Sequence, residues 1–122
     1  MKGNTYSNEK IKGKFLILKC WFIGCTACVA EFPELNEIVA SYKSRKDILF
    51  VSLASDPKEN LVTFLSKKSI DYMTVPNARK YMTEDLGIQM YPTHIIVNKE
   101  GVIIKAVNKA SELKEILARV IN

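Results

Sequence analysis

A nine-residue apolar stretch, Phe15 to Ile23, runs almost directly into two cysteines, Cys25 and Cys28, and this junction constrains the chain more than any other feature. Phe15-Leu16-Ile17-Leu18-Lys19-Cys20-Trp21-Phe22 shows no alternation of apolar and polar residues. That is the pattern of a strand covered on both faces. From Cys25 a helix is predicted, because Cys28, Phe32, Leu35, Val39 and Tyr42 recur at steps of three and four and form one stripe. Pro33 lies inside that helix and should kink it, since it removes a backbone donor and clashes with the preceding turn.

The rest of the chain continues in short units. Ile48 to Leu53 reads as a second buried strand. Asp56-Pro57-Lys58-Glu59 is a helix start, with Asp56 as N-cap, Pro57 at the first position and Glu59 reaching back. Leu61, Phe64 and Leu65 give that helix its apolar face. A weaker helix is predicted from Ala78 to Leu86, ending at Gly87. Thr93 to Asn98 and Val102 to Val107 are strands joined through Lys99-Glu100-Gly101, a hairpin with a bulge. Leu113, Ile116, Leu117 and Val120 mark a last amphipathic helix with Ser111 as its N-cap. The order β-α-β-α-(α)-β-β-α predicts an α/β fold. A parallel βαβ half is followed by an antiparallel hairpin, giving a mixed sheet with helices on both faces.

No internal repeat or linker divides the 122 residues, so residues 1–122 are expected to form one domain. Residues 1–13 are polar and read as a loose lead-in, and an upstream signal, anchor or domain is expected to have been trimmed. A domain of this size buries about two-thirds of its unfolded surface and needs no disulfide staples. The three cysteines are an odd number and do not make a disulfide scaffold. The formal charge of +5 comes from lysines spread along the chain with no run of five basic residues. This excludes a nucleic-acid footprint and indicates a solvated basic surface, with acidic partners or an anionic membrane as the alternative. The apolar run is broken by Lys19 and is far short of the ~20 residues of a spanning helix. Met1-Lys2-Gly3-Asn4 leads into polar sequence without a signal-peptide core.

Two thiols at C-x-x-C spacing, where a strand ends and a helix begins, have defined chemistry. Cys25 would sit at the helix N-terminus, where free N–H groups and the helix dipole lower a thiol pKa and supply the nucleophilic thiolate. Cys28, one turn on and partly covered, is placed to attack the mixed disulfide that Cys25 forms. The competing reading is zinc, which needs four ligands. Only Cys20 and His94 remain to complete such a set, and Cys20 on the strand reads as a small buried residue.

Lys12-Gly13-Lys14, the apolar strand, the Cys25–Cys28 motif and Glu31-Phe32-Pro33-Glu34-Leu35 together resemble the TlpA/ResA branch of the thioredoxin superfamily. Tyr91-Pro92-Thr93 and Asn98-Lys99-Glu100-Gly101 look like that family's later landmarks. The resemblance implies a thioredoxin-like fold and a thiol–disulfide oxidoreductase whose Cys25–Cys28 pair forms a reversible disulfide. It implies that Pro92 is a cis-proline beside the dithiol, leaving the Tyr91 backbone to pair with an extended substrate. Glu31 matches an acidic residue kept near the cysteines for tuning their pKa or relaying protons, against its alternative as a solvated helix carboxylate. Trp21 aligns with the strand-end tryptophan, which would shield the pair on the substrate side or simply fill the core.

The chain departs from the pattern at several positions. Thr26-Ala27 stands between the cysteines where thioredoxins have Gly-Pro, so neither potential nor direction can be borrowed. Gly24 replaces a common tryptophan and should open the substrate-binding rim. Lys19 stands where thioredoxin buries an aspartate. It would act as a proton acceptor for Cys28 or stabilise a thiolate; the alternative favoured here runs its stem to solvent. His94, the sole histidine, reads as structural before catalytic.

The expected activity is dithiol–disulfide exchange with proteins, as a reductant rather than an oxidant, without a dissociable cofactor or bound metal. Its expected partners are protein thiols and disulfides, apocytochromes or other secreted proteins among them, and a membrane or thioredoxin-type electron donor; it would act as a monomer. Its expected location is extracytoplasmic, periplasmic or membrane-anchored, with the cytoplasm as the alternative. Two other classes stay open. One is a copper chaperone using Cys25, Cys28 and His94 or Met90. The other is a noncatalytic thioredoxin-like recognition domain. A peroxidase is excluded, because no P-x-x-x-T-x-x-C stretch occurs.

Overall fold

The computed structural model describes residues 13–121. Of the predicted lead-in only Gly13 falls within them, and Lys12 does not. The apolar run forms β1 (Phe15–Trp21), whose last five residues are all buried. It is the middle strand of five. β2 (Ile48–Ala54) and β3 (Met73–Val75) lie parallel to one side of it. On the other side β4 (Thr93–Val97) lies antiparallel to β1 and β5 (Ile103–Val107) lies antiparallel to β4, giving the order β3-β2-β1-β4-β5. Neighbours on both edges and a covering layer on both faces explain why β1 carries no polar alternation.

One face of the sheet is covered by α1 (Thr26–Ala30), α2 (Phe32–Ser41), α3 (Lys58–Leu65) and α4 (Ala110–Val120). Trp21, Cys28, Phe32, Leu35, Leu61, Ile96, Leu113 and Leu117 belong to the single apolar cluster on that face. Each fully buried leucine contributes about 1.5–3 kcal/mol by removal from water. On the opposite face Leu18, Cys20, Val51, Leu53 and Ile95 pack against Ala78 and Met82 of the connection leading to β4. The mixed sheet, the two-sided covering and the hairpin bulge are as predicted; the bulge falls where Ile96 pairs with Lys105 and Val97 with Ile103. Gly101, at φ 84°, closes that hairpin in a conformation that favours glycine.

Several local expectations are corrected. The helix after Cys25 is two helices, broken at Glu31. Pro33, in the first turn of α2, has no N–H with which to continue the ladder of α1. The buried seam of α2 is Phe32, Leu35 and Ile38, with Val39 and Tyr42 only half-buried. Pro57, not Asp56, is the N-cap of α3, and the Asp56 carboxylate instead accepts the Ile23 N–H at 2.8 Å. The weak helix before β4 is a π-helical turn at Tyr81–Asp85. Helix α4 starts at Ala110 with Lys109 as N-cap, so Ser111 lies inside it. Strand β3 was not predicted: three residues on a sheet edge are too few to show a period.

Candidate active site

Register on the helix-covered face builds the floor of the site. Lys19 of β1 lies opposite Ser52 of β2 and His94 of β4, and Ser52 lies opposite Thr74 of β3. A polar residue from each of four strands therefore crosses an otherwise apolar face in one row. Ser52 and Thr74 satisfy each other through their hydroxyls, 2.7 Å apart. Lys19 and His94 are both fully buried and need partners of their own.

Glu31, at the break between α1 and α2, supplies them. Its Oε1 accepts Lys19 Nζ at 3.1 Å and His94 Nε2 at 2.9 Å, and its Oε2 accepts the Ala110 N–H at 2.8 Å. One carboxylate thus joins β1, β4 and the first turn of α4 to the active-site helices. Burial pushes the Glu31 carboxyl upward, but the hydrogen bond and charge of His94, the Lys19 ammonium and the Ala110 N–H outweigh it and hold the carboxyl below its ordinary value of 4.5. Burial lowers the pKa of Lys19, with Glu31 opposing the shift. The reading that ran the Lys19 stem to solvent is therefore corrected. The strand is covered on both faces, and the nearest counter-charge is Glu31, 12 residues away in sequence.

Above this floor, Cys25 is the N-cap of α1, and its Sγ accepts the Cys28 N–H at 3.2 Å. The two cysteines form a disulfide with Cα atoms 5.3 Å apart. Cys25 keeps 9% of its surface exposed and Cys28 none, so an incoming sulfur can reach only the first. The loop before them is held at two points: Cys25 N–H donates to Phe22 O at 3.0 Å, and Ile23 is tethered by Asp56. Gly24 is exposed, and a Cβ there would meet only the Phe22 ring, at 3.6 Å. The rim is thus open through the absence of a side chain, not through a backbone need for glycine.

The Tyr91–Pro92 bond is cis. Thr93, the next residue, pairs with Cys20, which sets the Pro92 loop at the end of β1 where the cysteine motif begins. Tyr91 stacks edge-on against Phe22 with centroids 5.4 Å apart, tying this loop to the cysteine loop. Beside it Met90 is 63% exposed. The Tyr91 backbone has no hydrogen-bond partner among the described residues. Trp21, proposed for the substrate side, is corrected: it is fully buried, edge-on to Phe32 at 5.1 Å, and cannot touch a docked chain. Cys20 is a free thiol on the opposite face of β1, and burial pushes it up to about 12. His94, suggested as a copper ligand, commits its Nε2 to Glu31.

Two residues of this region carried no usable sequence signal. Asp56 looked like a helix cap because it precedes Pro57, and its true partner lies 33 residues earlier. Asn108 has no motif to single it out, yet its Nδ2 donates to Pro92 O at 3.0 Å and to Thr93 Oγ1 at 3.2 Å.

A mixed five-stranded sheet with a cysteine pair following its central strand and a cis-proline loop at the same end defines a thioredoxin-like protein. The structure superposes on the thioredoxin domain of a thiol-disulfide oxidoreductase, BVU-2223, from Bacteroides vulgatus with a TM-score of 0.82 at 23% identity, covering 93% of this chain and 84% of that one. A putative thioredoxin from Neisseria meningitidis gives a TM-score of 0.75 at 26% identity, covering 94% and 80%. The chain belongs to the Redoxin family, which it matches over residues 1–120. Among named relatives, the thiol-disulfide oxidoreductase ResA of Halalkalibacterium halodurans is 23% identical over 105 residues, or 86% of this chain and 60% of that protein. The thioredoxin-like protein YneN of Bacillus subtilis is 26% identical over 105 residues, 84% of this chain and 61% of that one. The chain thus spans about 60% of the length of these relatives. Among the described residues no helix is long and apolar enough to cross a membrane.

Proposed function

We propose that this chain is a thiol–disulfide oxidoreductase that reduces disulfides in other proteins through Cys25 and Cys28. The observation that carries this reading is the asymmetry of the pair: one sulfur at the rim receiving a backbone N–H, the other sealed behind it. In the reduced form the Cys25 thiolate attacks one sulfur of a substrate disulfide. A mixed disulfide forms, and the substrate's other sulfur leaves as a thiolate that takes up a proton. Cys28 then loses its proton and attacks Cys25 Sγ. The second substrate thiolate leaves, and the Cys25–Cys28 disulfide carries away the two-electron deficit. A dithiol donor, membrane-bound or thioredoxin-type, restores the pair, and no dissociable cofactor is needed.

The substrate docks across the Tyr91–Pro92 loop, with Tyr91 offering its backbone for strand addition and Phe22 and Met90 its apolar contacts. Lys19 and Glu31 lie on the same side of the sheet as Cys28, with Lys19 Nζ 5.9 Å from the centre of the Phe32 ring. We assign them to the charge and proton balance of the pair. We further propose a reducing role outside the cytoplasmic membrane, on apocytochromes or other secreted proteins, as the resemblance to the TlpA/ResA branch implies.

Equilibration in graded thiol/disulfide buffers tests the reading. A reversible two-electron transition below about −240 mV is expected for a reductant, and one near −120 mV would make the protein an oxidant or isomerase. Cys28→Ser is expected to accumulate a mixed disulfide through Cys25, and Cys25→Ser to form none. No reversible disulfide in any buffer would remove the proposal.

A further inference from the structure

Asn108 stands between the two halves of the site. It follows β5, whose last residue Val107 pairs with His94, and it precedes Lys109, the N-cap of α4. Its side-chain amide donates to the Pro92 carbonyl at 3.0 Å and to the Thr93 hydroxyl at 3.2 Å. The Thr93 hydroxyl donates onward to Met90 O at 2.5 Å, which closes the loop from Met90 to Thr93 on itself. The Asn108 N–H donates to Glu112 Oε1 at 3.3 Å, fixing the residue against the first turn of α4. Two residues later the Ala110 N–H donates to Glu31 Oε2, and the other oxygen of that carboxylate holds His94, next in the chain to Thr93. The contacts close a ring: Pro92 to Asn108, along the chain to Ala110, across to Glu31, back to His94 and so to Thr93 and Pro92.

This ring has one weak link on the solvent side. Both sets of contacts are part-buried, but those of Glu31 are charge-assisted, whereas Asn108, itself an exposed residue, holds the loop by two neutral hydrogen bonds. The Asn108 amide engages the Pro92 carbonyl directly, so the shape of the loop that carries Tyr91 depends on this amide. A loop whose aim is set in advance loses less freedom when a chain docks on it.

We propose that Asn108 is a positioning residue for substrate docking, holding the Met90–Thr93 loop in its receptive shape. The proposal rests on the reading of Cys25 and Cys28 as a pair exchanging with protein disulfides. It adds a residue that makes no contact with the exchanging sulfurs and acts only through the docking loop.

Asn108→Asp tests it, because it keeps the size of the side chain but replaces the amide donor by a carboxylate facing the Pro92 carbonyl. Steady-state reduction, with dithiothreitol restoring the Cys25–Cys28 dithiol and the uncatalysed rate subtracted, is measured with a disulfide-bonded protein, insulin, and with a small disulfide, oxidised glutathione. Loss of two neutral hydrogen bonds corresponds to a rise in KM for insulin of about tenfold, with kcat changing far less. The ratio of kcat/KM for insulin to that for oxidised glutathione should fall by a similar factor. Asn108→Ser, which keeps one donor, should lie between the parent and Asn108→Asp, and it serves if the aspartate variant does not fold. An unchanged KM and ratio in a folded variant would overturn the proposal, as would a fall in kcat at constant KM. If the parent protein reduces neither disulfide, the exchange reading fails, and the role of Asn108 falls with it.

Discussion

Glu31 decides the electrostatics of the site residue by residue. Sequence alone left it between a thiol-tuning acid and a solvated carboxylate, because nothing local shows that Lys19 and His94 lie opposite each other across two strands. Substituting Glu31 leaves a buried ammonium without its counter-charge, and breaking such a pair is far costlier than never having had it. Glu31→Gln is expected to lose about 3 kcal/mol in urea denaturation, and Lys19→Met added to it should recover a good part of that loss. The parent's pH dependence follows from the same contacts. Glu31 has a folded pKa below its ordinary 4.5, so its stabilisation is complete above that value and is lost as pH falls through the folded one. A urea midpoint in Glu31→Gln that still dropped as steeply below pH 4.5 as in the parent would assign the acid sensitivity to other carboxylates.

At the scale of elements, periodic segments were legible and contacts between segments were not. β1 was readable because an unbroken apolar run has one economical interpretation, and the hairpin because Gly101 marks its turn. Pro33 signalled a kink through its missing donor, and the structure goes further, with a break into two helices at Glu31. Asp56 was misread, since a helix cap and a tether to a distant N–H use the same residue type in front of the same proline. Asp56→Ala separates the two roles. It is expected to cost about 2 kcal/mol, as for other hydrogen bonds to charged groups. Exchange of the Ile23 amide should quicken, while far-ultraviolet circular dichroism stays as in the parent. A loss of helical signal at 222 nm would instead return Asp56 to the start of α3.

For the molecule as a whole, the fold class and the cysteine pair could be read from residues spaced a few positions apart. The polar row and the ring through Asn108 could not, because they join residues as far apart as Glu31 and Ala110. Cys20 connects the same architecture to something measurable. It is sealed in the middle strand with its thiol pushed up to about 12, so an alkylating reagent meets it only when β1 leaves the sheet. In the reduced protein Cys25 marks the native surface, and Cys20, five residues earlier, acts as a clock for whole-chain opening. Its labelling rate should rise with urea as steeply as the equilibrium unfolding constant. A rate indifferent to urea would mean that the strand carrying the redox centre breathes on its own, and that the molecule can expose a third sulfur without unfolding.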